Sequence, residues 1–293
     1  DLTVTGVQTC ALPISTNTFI DEISGSLTNL YDVSRIEVLR GPQGTLYGSN
    51  AVGGTIRNIL NKPNFDGVEG NISIEVSDIE LADANGYAYN GMINIPLSDK
   101  LAMRAVFTSA SDPGIYQNVA TGRKDIGTQE DEEYRIMLRY ENGPLTINAV
   151  HLKKEKYDFG QKEKGNADKP GTSDIVDPNC AYSTAWYYGD TCTRVYATAG
   201  GDLEGYDQKL SFYSFQDEIA WETRTVNTVN VQYDFAKMSA KLIYAEYDNK
   251  DRYITDWSRI DTDDLYKDPL YLFSDSVNET TEFRLSSTSD GPF

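Results

Sequence analysis

Three charged residues, Arg35, Glu37 and Arg40, lie close together in the amino-terminal part of the chain and can form ion pairs. Apolar side chains alternate with these charges, so the run predicts a strand with one apolar face that ends at the turn dipeptide of residues 41–42. Two interpretations of the charges remain open. Either they pair with opposite charges on a neighbouring element, or they are solvated on an exposed strand.

The predicted strand is followed by closely spaced glycines, which permit a positive φ angle or a close approach of two backbones. The positions, with the proline and tyrosine among them, are Gly41, Pro42, Gly44, Tyr47, Gly48, Gly53 and Gly54. Taken by itself, the run is also compatible with an ordinary glycine-rich turn between two strands of a soluble domain.

Downstream of residue 63 the sequence changes to a two-residue alternation of apolar and polar side chains in segments of about ten residues, which is typical of transmembrane β-strands. Eight such segments are found, at 68–77, 87–95, 101–108, 134–140, 144–153, 223–235, 237–247 and 277–287. In segment 237–247 both faces of the predicted strand carry apolar residues, so the alternation does not indicate which face is turned to lipid. One face carries Met238 and Leu242, and the other carries Ile243 and Ala245.

The connections between these segments alternate in length. Tight turns are predicted at 96–99, 141–144 and 235–237, and long loops at 78–86, 111–131, 154–222 and 249–276. Outer-membrane barrels sort short turns to the periplasmic rim and long loops to the outer rim, whereas a soluble sandwich has no reason to do so. The sequence therefore favours a membrane barrel.

The composition excludes several classes of protein. With 45 acidic and 26 basic residues, and a net charge of -19, the chain is unsuited to binding nucleic acid. One histidine and three cysteines argue against His/Cys metal sites and Cys-His catalysis, and no Ser-His-Asp set stands out, so neither an enzyme nor a cofactor is expected. The acidic runs at 130–133 and 261–264 lack EF-hand spacing and are interpreted as solvated charge. The chain contains no apolar run of about 18 residues, so no transmembrane helix is predicted.

The run at residues 31–56, YDVSRIEVLRGPQGTLYGSNAVGGTI, resembles the plug-domain signature of TonB-dependent outer-membrane receptors. The resemblance implies an all-β chain, with the end of an N-terminal plug of mixed α/β character at 19–63. The N-terminal part of an antiparallel transmembrane β-barrel follows at 64–293. Plugged transporters have roughly 22 strands, so about eight strands indicate a fragment. Residues 6–15 look like a translated sequencing-adapter remnant, and the segment 1–18 that contains them is predicted to be non-native.

The same resemblance implies TonB-dependent active transport of a scarce nutrient, most often a ferric siderophore, across the bacterial outer membrane, whose lipid the barrel contacts. TonB, with its energising proteins ExbB and ExbD, is the implied partner, although no TonB box is recognised in the chain. Cobalamin, haem and oligosaccharides are other cargoes of the family. The alternative function is a passive outer-membrane pore or a structural surface barrel with a vestigial plug.

The resemblance also assigns roles to individual residues. In the family, plug arginines pair with barrel acids, which implies ion pairing for Arg35, Glu37 and Arg40 and makes the lumen-facing Glu282 and Arg284 candidate partners. Ion pairs in a wetted lumen hold a plug and separate more readily than a packed apolar seam.

The long loop 154–222 is the candidate for ligand contact at the outer surface, because functional residues concentrate on loops carried by a rigid scaffold. Trp186, Tyr187 and Tyr188 can stack on a flat ligand or bind a cation, or they pack the loop against its neighbours. Cys180 and Cys192 are expected to form a disulfide in an oxidising space, with two free thiols as the alternative.

Overall fold

Strands make up all of the regular secondary structure in the part of the chain that the structure describes. The computed structural model describes residues 16–41, 53–80, 82–118, 122–160, 211–212, 217–255 and 270–287. These residues form three β-sheets and no helix. Within them, no helix is long and apolar enough to cross a membrane.

The first sheet, here called the plug sheet, has four short strands. They are β1 (Thr16–Ile20), β2 (Ile23–Ser24), β3 (Val33–Arg40) and β4 (Gly54–Leu60), in the order β2-β1-β4-β3. Strand β1 runs parallel to β4, and β3 is antiparallel to it. Strand β1 begins at Thr16, so three residues of the segment 1–18 that was predicted to be non-native belong to an ordered strand.

The second sheet follows the plug sheet along the chain, after the linker of residues 61–68. This second sheet, here called the wall sheet, holds eight strands. They are β5 (Glu69–Ser77), β6 (Gly86–Ser98), β7 (Leu101–Asp112), β10 (Thr128–Asn142), β11 (Leu145–Phe159), β13 (Ile219–Asp234), β14 (Met238–Thr255) and β15 (Leu270–Ser287). Each strand pairs in the antiparallel sense with the wall strand before it. The eight predicted strands are thus confirmed, and all but β5 are longer than the alternation indicated.

Tight turns join β6 to β7, β10 to β11 and β13 to β14. All three turns lie at one end of the wall sheet, and the long connections lie at the other end. We call these the short-turn end and the long-loop end.

The strand alternation separates two faces of the wall sheet. On β10, Ile136 and Leu138 are 45% and 40% exposed on the outer face, whereas Arg135 and Met137 are buried on the inner face. On β14, where the sequence left the choice open, Ile243 and Ala245 are buried and Leu242 is exposed. The plug sheet covers the inner apolar side chains of β14. The sequence of β14 alone does not indicate this covering, because both of its faces carry apolar residues.

The plug sheet packs against the inner face of the wall sheet through a shared apolar cluster. The plug sheet contributes Ile20, Ile23 and Leu60, and the wall sheet contributes Val106, Met137, Leu152, Val226, Ile243 and Ala245. Burial of these side chains supplies the non-directional part of the attraction between the sheets.

A third, small sheet corrects the prediction of a single loop at 111–131. Strands β8 (Tyr116–Asn118) and β9 (Arg123–Ile126) form a hairpin there, and β12 (Ser211–Phe212) pairs with β8. Ile126 is buried against the end of the wall, where the amide of Gly127 donates to the carbonyl of Phe159 at 2.5 Å. Strands of three or four residues are too short to show an alternation in sequence.

Candidate functional site

Residues 28–32, here called the docking segment, connect β2 to β3 and lie against the inner face of β7 and β10. The segment has no regular secondary structure of its own. Its backbone and side-chain groups therefore need partners from elsewhere, and the wall sheet provides them through three charged side chains, Arg104, Glu133 and Arg135.

Asp32, at the end of the docking segment, is bound by Arg104 of β7. The Arg104 Nε donates to Asp32 Oδ2 at 2.7 Å, and the Nη2 donates to the second oxygen, so the pair is bidentate. Both side chains are almost fully buried, with exposures of 5% and 4%. The remaining Nη1 of Arg104 donates to Glu69 Oε1 at 2.7 Å, which ties the plug sheet to the first residue of β5.

The backbone of Asp32 has a φ of 58°, in the left-handed region that side chains with a Cβ rarely adopt. Its carboxylate also accepts a bond at 2.8 Å from the side-chain amide of Asn61, at the exit of β4. Such a conformation persists only where the surroundings determine it, and here the bonds from Arg104 and Asn61 do so.

Glu133 and Arg135 of β10 hold the middle of the docking segment. Their side chains are fully buried and 3.2 Å apart, between Arg135 Nε and Glu133 Oε1. Glu133 Oε2 accepts from the amide of Thr28 at 2.8 Å and from its hydroxyl at 3.0 Å, and Arg135 donates to the carbonyl of Tyr31. A buried pair of this kind is costly to break because one charge is left without its partner.

Tyr31 adds a peripheral contact. Its hydroxyl lies 2.9 Å from the side-chain oxygen of Asn71 on β5. Burial, followed by the nearby negative charge of Asp32, raises the pKa of Tyr31, so the phenol stays neutral and able to donate.

The linker is fixed to the same part of the wall. Asn94 of β6 is fully buried, and its side-chain oxygen accepts from the amide of Asn64 at 3.0 Å. Its side-chain nitrogen donates to the carbonyls of Asn64 and Gly67, each at 3.1 Å. Arg139 of β10 donates to the carbonyl of Pro63 at 3.3 Å. The chain is therefore anchored to the wall before β3, by the docking segment, and after β4, by the linker.

A second group of contacts lies between the β1–β2 end of the plug sheet and β11, β14 and β15. Glu22 accepts from Lys241 at 2.6 Å and lies 3.5 Å from Arg284, and these three side chains are 20% to 35% exposed. Lys154 donates to the carbonyl and hydroxyl of Ser26, each at 3.0 Å, in an exposed position. Exposed pairs of this kind contribute little and are easily exchanged for water.

The predicted charged residues have other partners than those expected. Glu37 lies 2.8 Å from Arg35 and 2.6 Å from Arg57, its cross-strand partner on β4, so its ion pairs stay within the plug sheet. Arg40 is exposed and, among the described residues, has no ion pair. The reason is topological: β3 is an edge strand of the plug sheet, and the docking segment before it makes the ionic contacts with the described wall. Arg35 does line a cavity of about 200 Å³ together with Asn148 and Asn230 of the wall.

The two expected wall partners lie on β15. Glu282 pairs with Arg284 on the same strand, and Arg284 also approaches the plug sheet, where its partner is Glu22 instead of Arg35 or Arg40.

The glycine positions are only partly described. Gly41 has a φ of 85°, and its amide donates to the carbonyl of Gly53 at 3.3 Å. At Gly54, φ is 146° and a Cβ would lie 2.5 Å from the carbonyl oxygen of Leu39, so this position accepts no side chain. The other predicted site residues, Pro42, Gly44, Tyr47, Gly48, Cys180, Trp186, Tyr187, Tyr188 and Cys192, lie outside the described residues.

Sequence reasoning missed the residues that make the buried contacts. Arg104 and Arg135 lie on the polar faces of their predicted strands. A charge on the inner face of a barrel strand is the signal that could have indicated a contact with the plug. Asp32 and Asn94 gave no comparable signal, because their roles depend on a left-handed backbone and on a linker whose path the sequence does not indicate.

Comparison with known proteins identifies the amino-terminal region. Residues 7–55 match the family model of the TonB-dependent receptor plug domain. The chain is 38% identical over 81 residues to the iron-regulated outer membrane virulence protein of Vibrio cholerae, an alignment that covers 27% of this chain and 12% of that protein. It is 34% identical over 131 residues to the pesticin receptor of Yersinia pestis, covering 41% and 18% respectively.

Solved structures resemble the whole arrangement of plug and wall. The ferric yersiniabactin uptake receptor FyuA from Yersinia pestis superposes with a TM-score of 0.67 at 17% identity, over 95% of this chain and 37% of that one. The ferric-catecholate import receptor Fiu from E. coli, in its open form, gives a TM-score of 0.59 at 16% identity, over 95% and 40%. At these identities the likeness establishes the fold: a plug followed by part of an antiparallel barrel. The chain spans well under half the length of these relatives.

Proposed function

We propose that this chain belongs to the TonB-dependent receptors of the bacterial outer membrane, as its plug-domain match and its similar structures support, and that it supplies part of the plug and part of the barrel wall of a receptor that imports a ferric siderophore. In this function no covalent bond is made or broken. The protein binds its cargo on the outer side, and the plug moves to let the cargo pass.

One observation carries the proposal: the plug sheet is held against the inner face of the wall by two unlike groups of contacts. The docking segment is held by buried charges, Arg104, Glu133 and Arg135. The β1–β2 end is held by half-exposed pairs centred on Glu22. A plug that only sealed a pore would need no easily broken contacts, whereas a plug that must move and return needs both kinds.

The outer face of the wall supports placement of the strands in lipid. Apolar and aromatic side chains recur on it at every second position of a strand, as Tyr134, Ile136 and Leu138 do on β10. This pattern is typical of strands that face hydrocarbon on one side and a polar lumen on the other.

The cargo and the energising partners follow from the family. The names of the similar proteins, an uptake receptor for ferric yersiniabactin and an import receptor for ferric catecholates among them, favour a ferric siderophore. TonB, with ExbB and ExbD, would deliver the energy of the proton-motive force to the plug.

The test is uptake of iron-55 bound to a panel of catecholate, hydroxamate and phenolate siderophores by cells that express the receptor carrying this chain. We expect uptake of at least one complex, and loss of that uptake when a protonophore collapses the proton-motive force or when TonB is deleted. Uptake that survives both treatments would favour the passive pore, and uptake of none of the complexes would remove siderophores as the cargo.

A further inference from the structure

The contacts of the plug sheet with the wall differ from one side of the plug to the other. On the side of β6, β7 and β10, the contacting charges Asp32, Arg104, Glu133 and Arg135 and the amide of Asn94 are all buried. On the side of β11, β13, β14 and β15, the contacting charges are partly exposed, and in the described part of the chain they bond the plug at Glu22 and Ser26.

Two cavities lie between the plug sheet and the wall on this second side. The lower cavity, of about 200 Å³, is near the short-turn end and is lined by Asp21, Glu22, Asn148, Asn230, Gln232 and Lys241 among others. The upper cavity, of about 360 Å³, is nearer the long-loop end and is lined by Ser24, Lys154, Arg224, Val226, Tyr247 and Asn249 among others. Both cavities face the same three wall strands, β11, β13 and β14.

A thin barrier, apolar except for Thr228, separates the two cavities. In the register of the wall sheet, Val150 pairs with Thr228 and Thr228 pairs with Ala245, and this row lies between the linings of the two cavities. Thr228 and Ala245 are buried under the plug sheet, whose Ile20 and Ile23 belong to the same apolar cluster as Ala245. Contacts between the apolar side chains, Val150 and Ala245 on the wall and Ile20 and Ile23 on the plug sheet, are not directional, so these side chains slide apart without breaking a hydrogen bond.

We infer that the passage for the cargo opens along β11, β13 and β14, where the two cavities join when the β1–β2 end of the plug sheet moves away from the wall. The docking segment and the linker stay bound to β6, β7 and β10 and act as the fixed side of this motion. The inference rests on the proposed function, because it takes the plug to be a moving part.

The energetic order of the contacts supports this direction of motion. Release of Glu22 from Lys241 and Arg284 separates side chains that are already 20% to 35% exposed, so water can replace the lost partners more readily than at a fully buried pair. Release of Asp32 from Arg104 would leave a buried guanidinium and a left-handed backbone without their main partner. The half-exposed side therefore opens first, and the lining of the opened passage is polar at its lower end.

Cross-linking of one side at a time tests the inference in the receptor that carries this chain, in intact cells. One variant combines Glu22→Cys with Lys241→Cys, and the matched variant combines Asn29→Cys with Asn90→Cys, whose native side chains meet at 3.5 Å on the fixed side. A short, reducible bifunctional thiol reagent closes each pair. We expect the first cross-link to lower siderophore uptake by about tenfold or more and the second to change it by less than about twofold, since only the first blocks the gating motion.

Reduction of the cross-link should restore uptake in the first variant. If both cross-links abolish uptake, the plug must leave the wall on both sides and the inference is wrong. If neither does, or only the second does, the passage lies elsewhere and the inference is equally wrong.

A measurement without cargo separates this inference from the proposed function. Gln232→Cys, in the lower cavity, and Asn90→Cys, on the fixed side, are each introduced into a protein whose native Cys10, Cys180 and Cys192 are replaced by serine. Both variants are treated with a membrane-impermeant maleimide in energised and de-energised cells. We expect energisation to raise the labelling rate at residue 232 by about threefold or more and to leave residue 90 unchanged. If labelling changes in this way but no siderophore is taken up, the inferred passage stands and the siderophore is rejected as the cargo. Equal changes at both positions would show that the inferred passage is wrong.

Discussion

The carboxylate of Asp32 and the guanidinium of Arg104 form a bidentate, buried ion pair across the boundary between plug and wall, with Nε and Oδ2 2.7 Å apart. The pair joins two segments that are 72 positions apart in sequence. It also holds the one residue of the docking segment that has a left-handed backbone. Plug position and backbone conformation thus depend on the same arginine.

Replacement of Arg104 should loosen the plug. Arg104→Met leaves the Asp32 carboxylate buried with only the amide of Asn61, and removal of one partner of a buried pair costs about 3–5 kcal/mol. We expect the midpoint of urea unfolding to fall and tryptic cleavage of the plug in outer-membrane vesicles to accelerate. The matched control is Arg123→Met, because Arg123 and Asp125 form an exposed pair worth less than about 1 kcal/mol. Equal effects of the two substitutions would contradict the importance assigned to the buried pair.

The left-handed backbone of Asp32 can be tested separately from its charge. Asp32→Gly and Asp32→Ala both remove the carboxylate, but glycine adopts a φ of 58° without steric cost, whereas alanine pays about 1–2 kcal/mol. Alanine should therefore destabilise the plug by that further amount in the same unfolding experiment. If the two variants unfold at the same denaturant concentration, the backbone at this position relaxes freely.

Asn94 is expected to matter for the linker. In Asn94→Ala, the amide of Asn64 and two linker carbonyls lose their buried partner, and each unsatisfied buried group costs about 1–3 kcal/mol. We expect hydrogen exchange to rise at residues 64–67. Asn90→Ala provides the control, since Asn90 has only longer contacts, at 3.2 Å with Ser73 and 3.5 Å with Asn29. If residues 64–67 exchange their amide hydrogens no faster in Asn94→Ala, the bonds from Asn94 are not needed to hold the linker against the wall.

Gly54 is predicted to tolerate no side chain. A Cβ at this position would meet the carbonyl of Leu39 at 2.5 Å, so Gly54→Ala should separate β3 from β4 locally and lower the free energy of unfolding by about 1–3 kcal/mol. Gly91→Ala on β6 is the matched substitution, because a Cβ there has its nearest neighbour at 4.0 Å. Thermal unfolding of the plug distinguishes them, and a Gly54→Ala protein as stable as the Gly91→Ala protein would argue against the close approach.

The wall sheet could be predicted from sequence because each of its strands carries its own signal. On β10, the alternation from Tyr134 to Leu138 determines which side faces outward, and the tight turn before Leu145 determines the pairing with β11. Strand β14 shows where this reasoning stops. Both of its faces are apolar, and the choice between Leu242 and Ile243 depends on the plug sheet, which is more than 180 positions away in the chain.

The candidate site was less accessible to prediction for a related reason. The family signature drew attention to Arg35, Glu37 and Arg40, yet β3 lies at the edge of the plug sheet and its charges pair on that sheet. The buried contacts involve the irregular segment before β3, where side chains follow no period. Its conformation is set by distant partners such as Glu133 and Arg135 and not by local propensity.

The parallel pairing of β1 with β4 has a mechanical consequence. Strand β4 continues directly into the linker that Asn94 anchors, while β1 lies at the amino-terminal end of the plug sheet. A pull on the amino end of β1 is therefore opposed at the far end of β4, and the two strands are loaded in shear. The evenly spaced bonds of a parallel ladder then share the load and do not open one after another. We therefore expect the plug sheet to resist unzipping under tension and to move as one unit about the anchored end of β4.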